Sequence, residues 1–383
     1  MQSERRHSIL KKCAFIVMVS SFVIYFQNCS SPQNTTANQG SCATLACSAS
    51  KYSLLAADFD GSNVAIVKTS GYQEMTHPRV SNDKSWIAYT AYNDRDTKNC
   101  ASLSIGYNNT EIRAVKLDGS VDKRIIAPTS GQFTSNNYWI GTSNEFTYLS
   151  GPTSALKFYR ATVDTQMNLT SGPLQISVAN TIVPVDPQTN LGINKIVYAG
   201  LYNPGGGFVK SIFLMNLSDS ANLVGLSIGR DHAGTQIICA DAACANIMEN
   251  DPKISPDGTK VAFMRQAQSS GVNGFGWHIF VVPVATPLSE VDISYSYLGS
   301  DTLKNDVLPE WVDNTTLIFS TIEIVSASDI TKNVYTMKFD GTQRAKIALP
   351  DGFRYSDVFL YVDNSGKKRM ILSAEKINAT CTN

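Results

Sequence analysis

The sequence has no excess of charge of either sign, few histidines and few charged residues of any kind. Its 32 Lys and Arg residues balance its 32 Asp and Glu residues, so it offers no basic field that would collect the phosphates of a nucleic acid. The three histidines beyond residue 28, His77, His232 and His278, do not lie at ligand spacing beside cysteines. We therefore predict no nucleic-acid partner, no metal site and no cofactor.

The first residues are typical of an export signal. Four basic residues within residues 5–12 precede an apolar run at residues 14–26, which is shorter than the ~20 residues of a membrane-spanning helix. Cys29 follows directly, in an arrangement that resembles the lipobox of bacterial lipoproteins. The resemblance implies a lipid anchor on Cys29 and a place in the cell envelope, at a periplasmic or outer-membrane face. Ordinary secretion with a free Cys29 thiol is the alternative.

This interpretation divides the chain into three parts. Residues 1–28 are the predicted signal peptide, and residues 29–50, rich in Ser, Asn, Thr and Ala, form a tether. The folded domain is predicted at residues 51–383. Six cysteines follow Cys29, an even number in an oxidising compartment: Cys42, Cys47, Cys100, Cys239, Cys244 and Cys381. Short spacing favours the pairs Cys42–Cys47 and Cys239–Cys244, which leaves Cys100 with Cys381.

The feature that predicts the fold is a repeat of about fifty residues. Its clearest copy, residues 251–264, consists of a short strand, a Ser-Pro-Asp-Gly turn and an apolar strand rich in β-formers. Residues 77–90 and 308–320 follow the same plan. Weaker copies begin at Asn137, at Val183-Pro184 and at Val358.

A second recurring element is an alternating strand that runs into Asp-Gly, as at residues 55–62, 114–120 and 335–342. It predicts a hairpin with a type I′ turn. Two hairpins per period give a four-stranded antiparallel blade. The first hairpin, residues 52–67, and the last, residues 358–372, each lack a partner. We therefore predict an all-β, six-bladed β-propeller that closes by pairing its N- and C-terminal hairpins.

These repeats resemble those of the TolB-type six-bladed propellers, which carry a Pro…Ser-Pro-Asp-Gly…Ile-Ala-Phe signature and a strand ending in Asp-Gly. The resemblance covers nearly all of residues 52–375, and residues 251–264 match it best. It implies the propeller and not the TolB function.

Two other motifs have simpler explanations than chemistry. Residues 225–229 have the Gly-x-Ser-x-Gly spacing of a hydrolase nucleophile, but no helix-forming run follows them. Residues 229–250 form a long insertion with two cysteines, which is either a binding loop or a solvated excursion. We assign no catalytic residue.

The connections into the innermost strands ring one mouth of a propeller channel. The residues placed there are aromatic or charged, and they suit a polar ligand or a peptide end: His77, Arg79, Tyr138, Trp139, Asp251, Lys253, Glu310 and Trp311. The favoured function is a membrane-anchored binding or scaffold propeller whose partner is an envelope protein, a peptide or a small polar ligand. The alternative is an envelope polysaccharide lyase or hydrolase that uses the channel.

Overall fold

A computed structural model describes most of the predicted propeller. The described residues are 46–47, 51–70, 73–93, 110–129, 132–140, 143–152, 155–176, 183–190, 195–202, 209–216, 219–227, 249–268, 275–299, 301, 303–326, 330–377 and 381–382. The predicted signal peptide, most of the tether with Cys29 and Cys42, residue Cys100, and the insertion with His232, Cys239 and Cys244 lie outside them. The chain has two units by its internal contacts, and the sheets belong to the larger, Ser41–Glu323 with Thr331–Asn383.

The described residues are almost entirely β-strand. The elements in chain order are β1 (Ala46–Cys47), β2 (Tyr52–Asp58), β3 (Ala65–Ser70), β4 (Gln73–Val80), β5 (Trp86–Asn93), β6 (Thr110–Lys116), β7 (Asp122–Ile126), β8 (Phe133–Ile140), β9 (Glu145–Gly151), β10 (Lys157–Val163), β11 (Leu169–Ile176), β12 (Val183–Asn190), β13 (Lys195–Tyr202), β14 (Val209–Asn216), β15 (Asp219–Gly225), β16 (Glu249–Ile254), β17 (Lys260–Gln268), β18 (Phe275–Pro283), β19 (Val291–Asp292), α1 (Tyr295–Leu298), β20 (Lys304–Trp311), β21 (Thr316–Ile324), β22 (Ile330–Lys338), β23 (Ala345–Lys346), β24 (Phe353–Val362), β25 (Lys368–Lys376) and β26 (Cys381–Thr382). Within these residues, no helix is long and apolar enough to cross a membrane.

Six four-stranded sheets form the blades. Blades 1 to 5 are β4–β7, β8–β11, β12–β15, β16–β19 and β20–β23, and blade 6 has the order β24-β25-β2-β3. The first strand of each blade contacts the first strand of the next, and β24 contacts β4, so the first strands form a closed ring. The predicted six-bladed propeller is confirmed, and so is its closure by the two terminal hairpins.

The Asp-Gly turns form where the sequence predicted them but are not of type I′. In the turn after β2, the Gly61 N–H donates to the Asp58 carbonyl at 3.0 Å, and only Gly61 of the Asp-Gly pair has a positive φ, 89°. Asp60 instead accepts a hydrogen bond from the Ser62 N–H at 2.9 Å. The result is a tight turn followed by a glycine bulge, another common hairpin connection. A Cβ on Gly61 would lie 2.2 Å from the Ala348 carbonyl oxygen.

The core lies between neighbouring blades. One apolar cluster joins Trp86 and Ile112 of blade 1 to Phe146 and Tyr148 of blade 2. The indole Nε1 of Trp86 also donates to the Thr165 carbonyl of blade 2 at 3.1 Å. Similar clusters join blades 4 and 5, blades 5 and 6, and blades 6 and 1. A blade has two apolar faces, and stacking in a ring buries both.

Blade 6 joins the two ends of the chain. The strand β2 lies between β3 and β25, with Leu55 opposite Leu372 in the antiparallel register. At one end of this seam, the Asp58 carboxylate lies 2.6 Å from the Lys367 ammonium and 2.9 Å from Arg369 Nε. Hydrogen bonds and ion pairs therefore hold the N-terminal strand to the C-terminal hairpin.

Candidate ligand-binding cavity on the propeller axis

All six innermost strands carry a two-residue bulge near the axis. The register against the second strand shifts between Thr76 and Arg79, Ser135 and Tyr138, Val185 and Gln188, Asn250 and Lys253, Val307 and Glu310, and Tyr355 and Val358. In blade 3 the bulge holds Asp186-Pro187, whereas the predicted Val183-Pro184 pairs regularly with Leu201 and Gly200. The equivalent of His77-Pro78 is therefore three residues later than the sequence suggested.

The backbone of three bulges is in the left-handed region. His77, Asp251 and Leu308 have φ angles of 50°, 47° and 56°, and each directly precedes a proline. The residue before a proline prefers extended backbone, and a non-glycine residue in a sparsely populated region costs on the order of 1–3 kcal/mol. Three such positions at equivalent places around one axis favour a functional constraint there.

The first residue after each bulge forms what we term the axial ring. Its six members are Arg79, Tyr138, Gln188, Lys253, Glu310 and Val358. Three of them are charged and yet buried: Arg79, Lys253 and Glu310 are only 3%, 4% and 8% exposed. Charged side chains are almost never buried unless they are paired, so this ring is unusual chemistry for the middle of a β-protein.

A small open cavity lies against this ring. It encloses about 220 Å³ including solvent at its mouth, and its lining residues are His77, Arg79, Asp251, Lys253, Leu308, Pro309, Glu310, Asp357 and Val358. This volume is below the several hundred Å³ of a pocket that swallows a drug-sized molecule. The cavity therefore suits one functional group of a ligand rather than a whole ligand.

Arg79 is fixed in the cavity wall by aromatic contacts. Its guanidinium carbon lies 4.3 Å from the centre of the Tyr138 ring and 4.9 Å from that of Phe359, and it donates to the Tyr138 hydroxyl. The Arg79 guanidinium lies 3.6 Å from the Glu310 carboxylate. Burial opposes the charge of Arg79, but Tyr138, Glu310 and Asp357 outweigh burial and raise its pKa.

Lys253 is held as a second buried cation. Its ammonium lies 4.0 Å from Asp251 and 5.3 Å from the centre of the Tyr138 ring. Burial lowers the pKa of Lys253, but Tyr138, Asp251 and Glu310 more than compensate, so the net shift is upward. The cavity wall thus presents two permanent cations beside the carboxylates of Asp251, Glu310 and Asp357.

Several polar atoms of this region lack a hydrogen-bond partner within the described part of the chain. They are Nε of Arg79, Oε2 of Glu310, and both amide atoms of Asn137, a side chain that is 1% exposed. Asn137 is the second bulge residue of blade 2, the position that Pro309 and Asp357 occupy in blades 5 and 6. Buried polar groups are nearly always paired, so orphan atoms at one place indicate a partner such as a ligand or ordered water.

The structure brings together six of the eight residues selected from the sequence. His77, Arg79, Asp251, Lys253 and Glu310 line the cavity, and Tyr138 packs on both cations. Trp139 and Trp311 lie between blades instead. Their indole Nε1 atoms donate to the carbonyls of Arg79 and Lys253 at 3.4 and 2.8 Å, and both rings belong to apolar clusters.

Four cavity residues were not selected from the sequence: Leu308, Pro309, Asp357 and Val358. Leu308 and Pro309 are apolar, so nothing in their side chains indicated a binding role. Asp357 belongs to the most divergent repeat copy, where the missing proline hid the bulge. Aligning all six copies on the bulge would have found it.

The remaining candidates have structural roles. His278 Nδ1 lies 2.7 Å from an Asp292 oxygen, and both side chains are 2% exposed. Ser227, from the Gly-x-Ser-x-Gly segment, donates a hydrogen bond to the buried Glu249 carboxylate, and Glu249 pairs with Arg265. Burial raises the pKa of Glu249 against the opposing effect of Arg265. Across the described ranges, no three His, Cys, Asp or Glu residues form a group suited to a metal ion.

No family model matches the sequence, and no curated protein matches it either. Solved structures resemble it in fold at low identity. An oligogalacturonate lyase from Vibrio parahaemolyticus is 10% identical with a TM-score of 0.45, over 82% of this chain and 76% of that chain. The β-propeller domain of the Trilobed protease from Pyrococcus furiosus is 10% identical with a TM-score of 0.42, over 84% of each chain. Kuenenia stuttgartiensis hydrazine synthase is 11% identical with a TM-score of 0.49, over 87% of this chain and 48% of that chain. Likenesses this distant carry no information on ligand or activity.

Proposed function

We propose that this protein is a binding propeller of the cell envelope whose axial cavity takes one charged end group of a peptide, a protein or a small polar ligand. The observation that carries the proposal is the cluster of buried, loosely paired charges on the axial ring. Removing a charged group from water costs several kcal/mol, and only close pairing with an opposite charge offsets this desolvation cost. A ligand group that supplied the missing hydrogen bonds would offset the desolvation cost of these charges.

The cavity contains groups for either end of a peptide. Arg79 and Lys253 would bind a carboxylate, and Arg79 retains a free Nε–H in the described structure. Asp251, Glu310 and Asp357 would bind an ammonium. The left-handed bulges hold these groups on rigid strands, which reduces the ordering cost of binding.

A panel of tripeptides tests this proposal. The panel compares free with acetylated amino ends and free with amidated carboxyl ends, and isothermal titration calorimetry measures the affinity of each for the purified full chain. We expect at least one free end to bind. Glu310→Gln or Arg79→Met should weaken that binding by about tenfold to hundredfold, because a hydrogen bond to a charged group contributes about 1.5–3 kcal/mol.

Lys346→Gln is the matched control, because Lys346 is an exposed cation on the outer strand β23. It should leave the affinity unchanged. Failure of all four peptide classes to bind, or equal binding by the cavity variants and the unchanged protein, would reject the cavity as the binding site.

We also propose the lipid anchor on Cys29, which rests on the N-terminal sequence alone. Cys29→Ala should move the protein from the detergent phase to the aqueous phase when cells are fractionated with Triton X-114. A variant protein that stays in the detergent phase would exclude this anchor.

A further inference from the structure

The ends of the chain meet a second time, outside blade 6. The strands β1 and β26 form a separate two-stranded antiparallel sheet. In its register Ala46 lies opposite Thr382, and Cys47 lies opposite Cys381. Directly opposed residues of an antiparallel pair have Cα atoms about 4.5–5.5 Å apart, which is within the range that a disulfide spans.

This small sheet extends the seam of blade 6. Tyr52 lies opposite Glu375, and the Lys376 N–H donates to the Lys51 carbonyl at 2.8 Å. The pairing of Cys47 with Cys381 has a register that differs by one residue from the register of the seam. The two cysteines therefore meet because the closure of the ring brings their strands together.

We propose that Cys47 and Cys381 form a disulfide that fastens the closed ring. The backbone register favours this pair over the Cys42–Cys47 pair that short spacing favoured and over the Cys100–Cys381 pair that was left by it. The bond would join residues at nearly opposite ends of the folded chain. Cross-links that close long loops restrict the unfolded chain most. The disulfide would also fasten the tether to the propeller, leaving only the residues before Cys47 free to extend.

The oxidation balances by thiol–disulfide exchange. The Cys47 and Cys381 thiols lose two protons and two electrons as their sulfur–sulfur bond forms. The electrons reduce the disulfide of an oxidase protein in the exporting compartment, which becomes a dithiol.

Peptide mapping of the exported, full-length protein tests the proposal. Free thiols are blocked with N-ethylmaleimide, and the protein is digested with trypsin without reduction. Cleavage after Lys51 and Lys376 gives one peptide that ends at residue 51 and holds Cys29, Cys42 and Cys47, and a second, residues 377–383, that holds Cys381. We expect these two peptides to be linked, and the link to disappear on reduction.

Two variants identify which cysteine of the first peptide is bonded. Cys42→Ser should keep the link to residues 377–383, and Cys47→Ser should lose it. Blocked thiols on both Cys47 and Cys381 in the unchanged protein, or a link that survives Cys47→Ser, would overturn the proposal. In the unchanged protein, fragmentation of the linked peptide should place the N-ethylmaleimide label on Cys42 and not on Cys47, which decides the matter even when a variant folds poorly.

Discussion

The closure seam and the axial cavity both bury charged groups, but they pair them differently. At the seam, the Asp58 carboxylate lies 2.6 Å from Lys367 and 2.9 Å from Arg369, and it accepts a hydrogen bond from Asn63 at 2.6 Å. In the cavity, Arg79 and Glu310 are 3.6 Å apart, and Lys253 and Asp251 are 4.0 Å apart.

This difference separates charges that are paired closely enough to hold the fold from the charges to which we assign ligand binding in our proposal. The tight contacts at Asp58 lower its pKa to about 2, with the hydrogen bond from Lys367 as the largest cause. The Asp58 carboxylate accepts hydrogen bonds from Lys367 and Asn63. Its Oδ1 atom, which has no hydrogen bond in the described structure, lies 2.9 Å from Arg369 Nε. The cavity pairs, at 3.6 and 4.0 Å, are instead too far apart for direct hydrogen bonds. Stability alone would favour apolar residues at such positions. Buried charges that do not stabilise the fold therefore support the proposed binding site.

Removing the seam altogether should have the largest effect. Deletion of residues 353–383 takes away β24, β25 and β26, so β2 loses its partner and the ring of first strands opens. Exposed strand edges and blade faces invite aggregation. We expect the truncated chain to be insoluble or to lose its cooperative unfolding transition, as measured by circular dichroism and size-exclusion chromatography.

Deletion of residues 378–383 is the control for this truncation, because it removes β26 and leaves the seam intact. It also removes Cys381 and with it the proposed disulfide, so we expect a lower melting temperature but a transition that remains cooperative. If the longer deletion melted like the full chain, the seam would not be what closes the ring.

Neutralising the seam charge should have an intermediate effect. Asp58→Asn removes the charge that binds Lys367 and Arg369, and we expect it to lower the melting temperature by several degrees at pH 7. Asp60→Asn, on the exposed turn next to it, should have little effect because asparagine also accepts the turn hydrogen bond. Equal melting temperatures for the two variants would contradict the inference that the charge of Asp58 stabilises the seam.

The stabilising effect of Asp58 should also depend on pH. The pKa of Asp58 is lowered from 3.8 to about 2 in the folded protein, so its stabilising effect is complete above about pH 4 and is lost as the pH falls towards 2. The difference in melting temperature between the unchanged protein and Asp58→Asn should shrink over this interval. A difference that stays constant from pH 5 to pH 2.5 would show that Asp58 acts through packing rather than charge.

Removing the charges of Arg79 and Glu310 in the cavity should have the smallest effect on stability. The double variant Arg79→Met with Glu310→Met replaces a loose buried pair with apolar side chains of similar size. Such exchanges are often neutral or stabilising. We expect a free energy of unfolding in urea equal to or above that of the unchanged protein, together with loss of peptide binding. A large loss of stability would mean that the cavity charges serve the fold as the seam charges do.

The repeat pattern was sufficient to predict the architecture because it recurs in register. The Asp-Gly hairpins, the apolar second strands and the unpaired terminal hairpins together specified six blades and their closure. The turn type was wrong, because Asp60 keeps a negative φ by accepting a hydrogen bond from Ser62 and leaves the positive φ to Gly61 alone. Sequence composition does not distinguish these two turns.

The site was harder to predict because the bulge reverses the direction of side chains locally. Arg79 is the first residue after its bulge and lines the cavity. Trp139 is the second residue after its bulge and packs between blades. Side chains alternate along a strand, so an error of one residue exchanges a ligand-binding position for a core position. In blade 3, the sequence pattern placed the bulge at Pro184, three residues before the bulge at Asp186-Pro187.

The axial ring also has a consequence for how such a protein changes over generations. Its six positions share one backbone geometry, set by the bulge, but hold six different residue types, from Arg79 to Val358. A substitution there exchanges one group around the axis while the hairpins and the interblade clusters remain as they are. Single positions of the axial ring can therefore change the chemistry around the axis while the blades keep their structure. Randomising Tyr138, Gln188 and Val358 together would be a direct route to selecting new specificities on an unchanged scaffold.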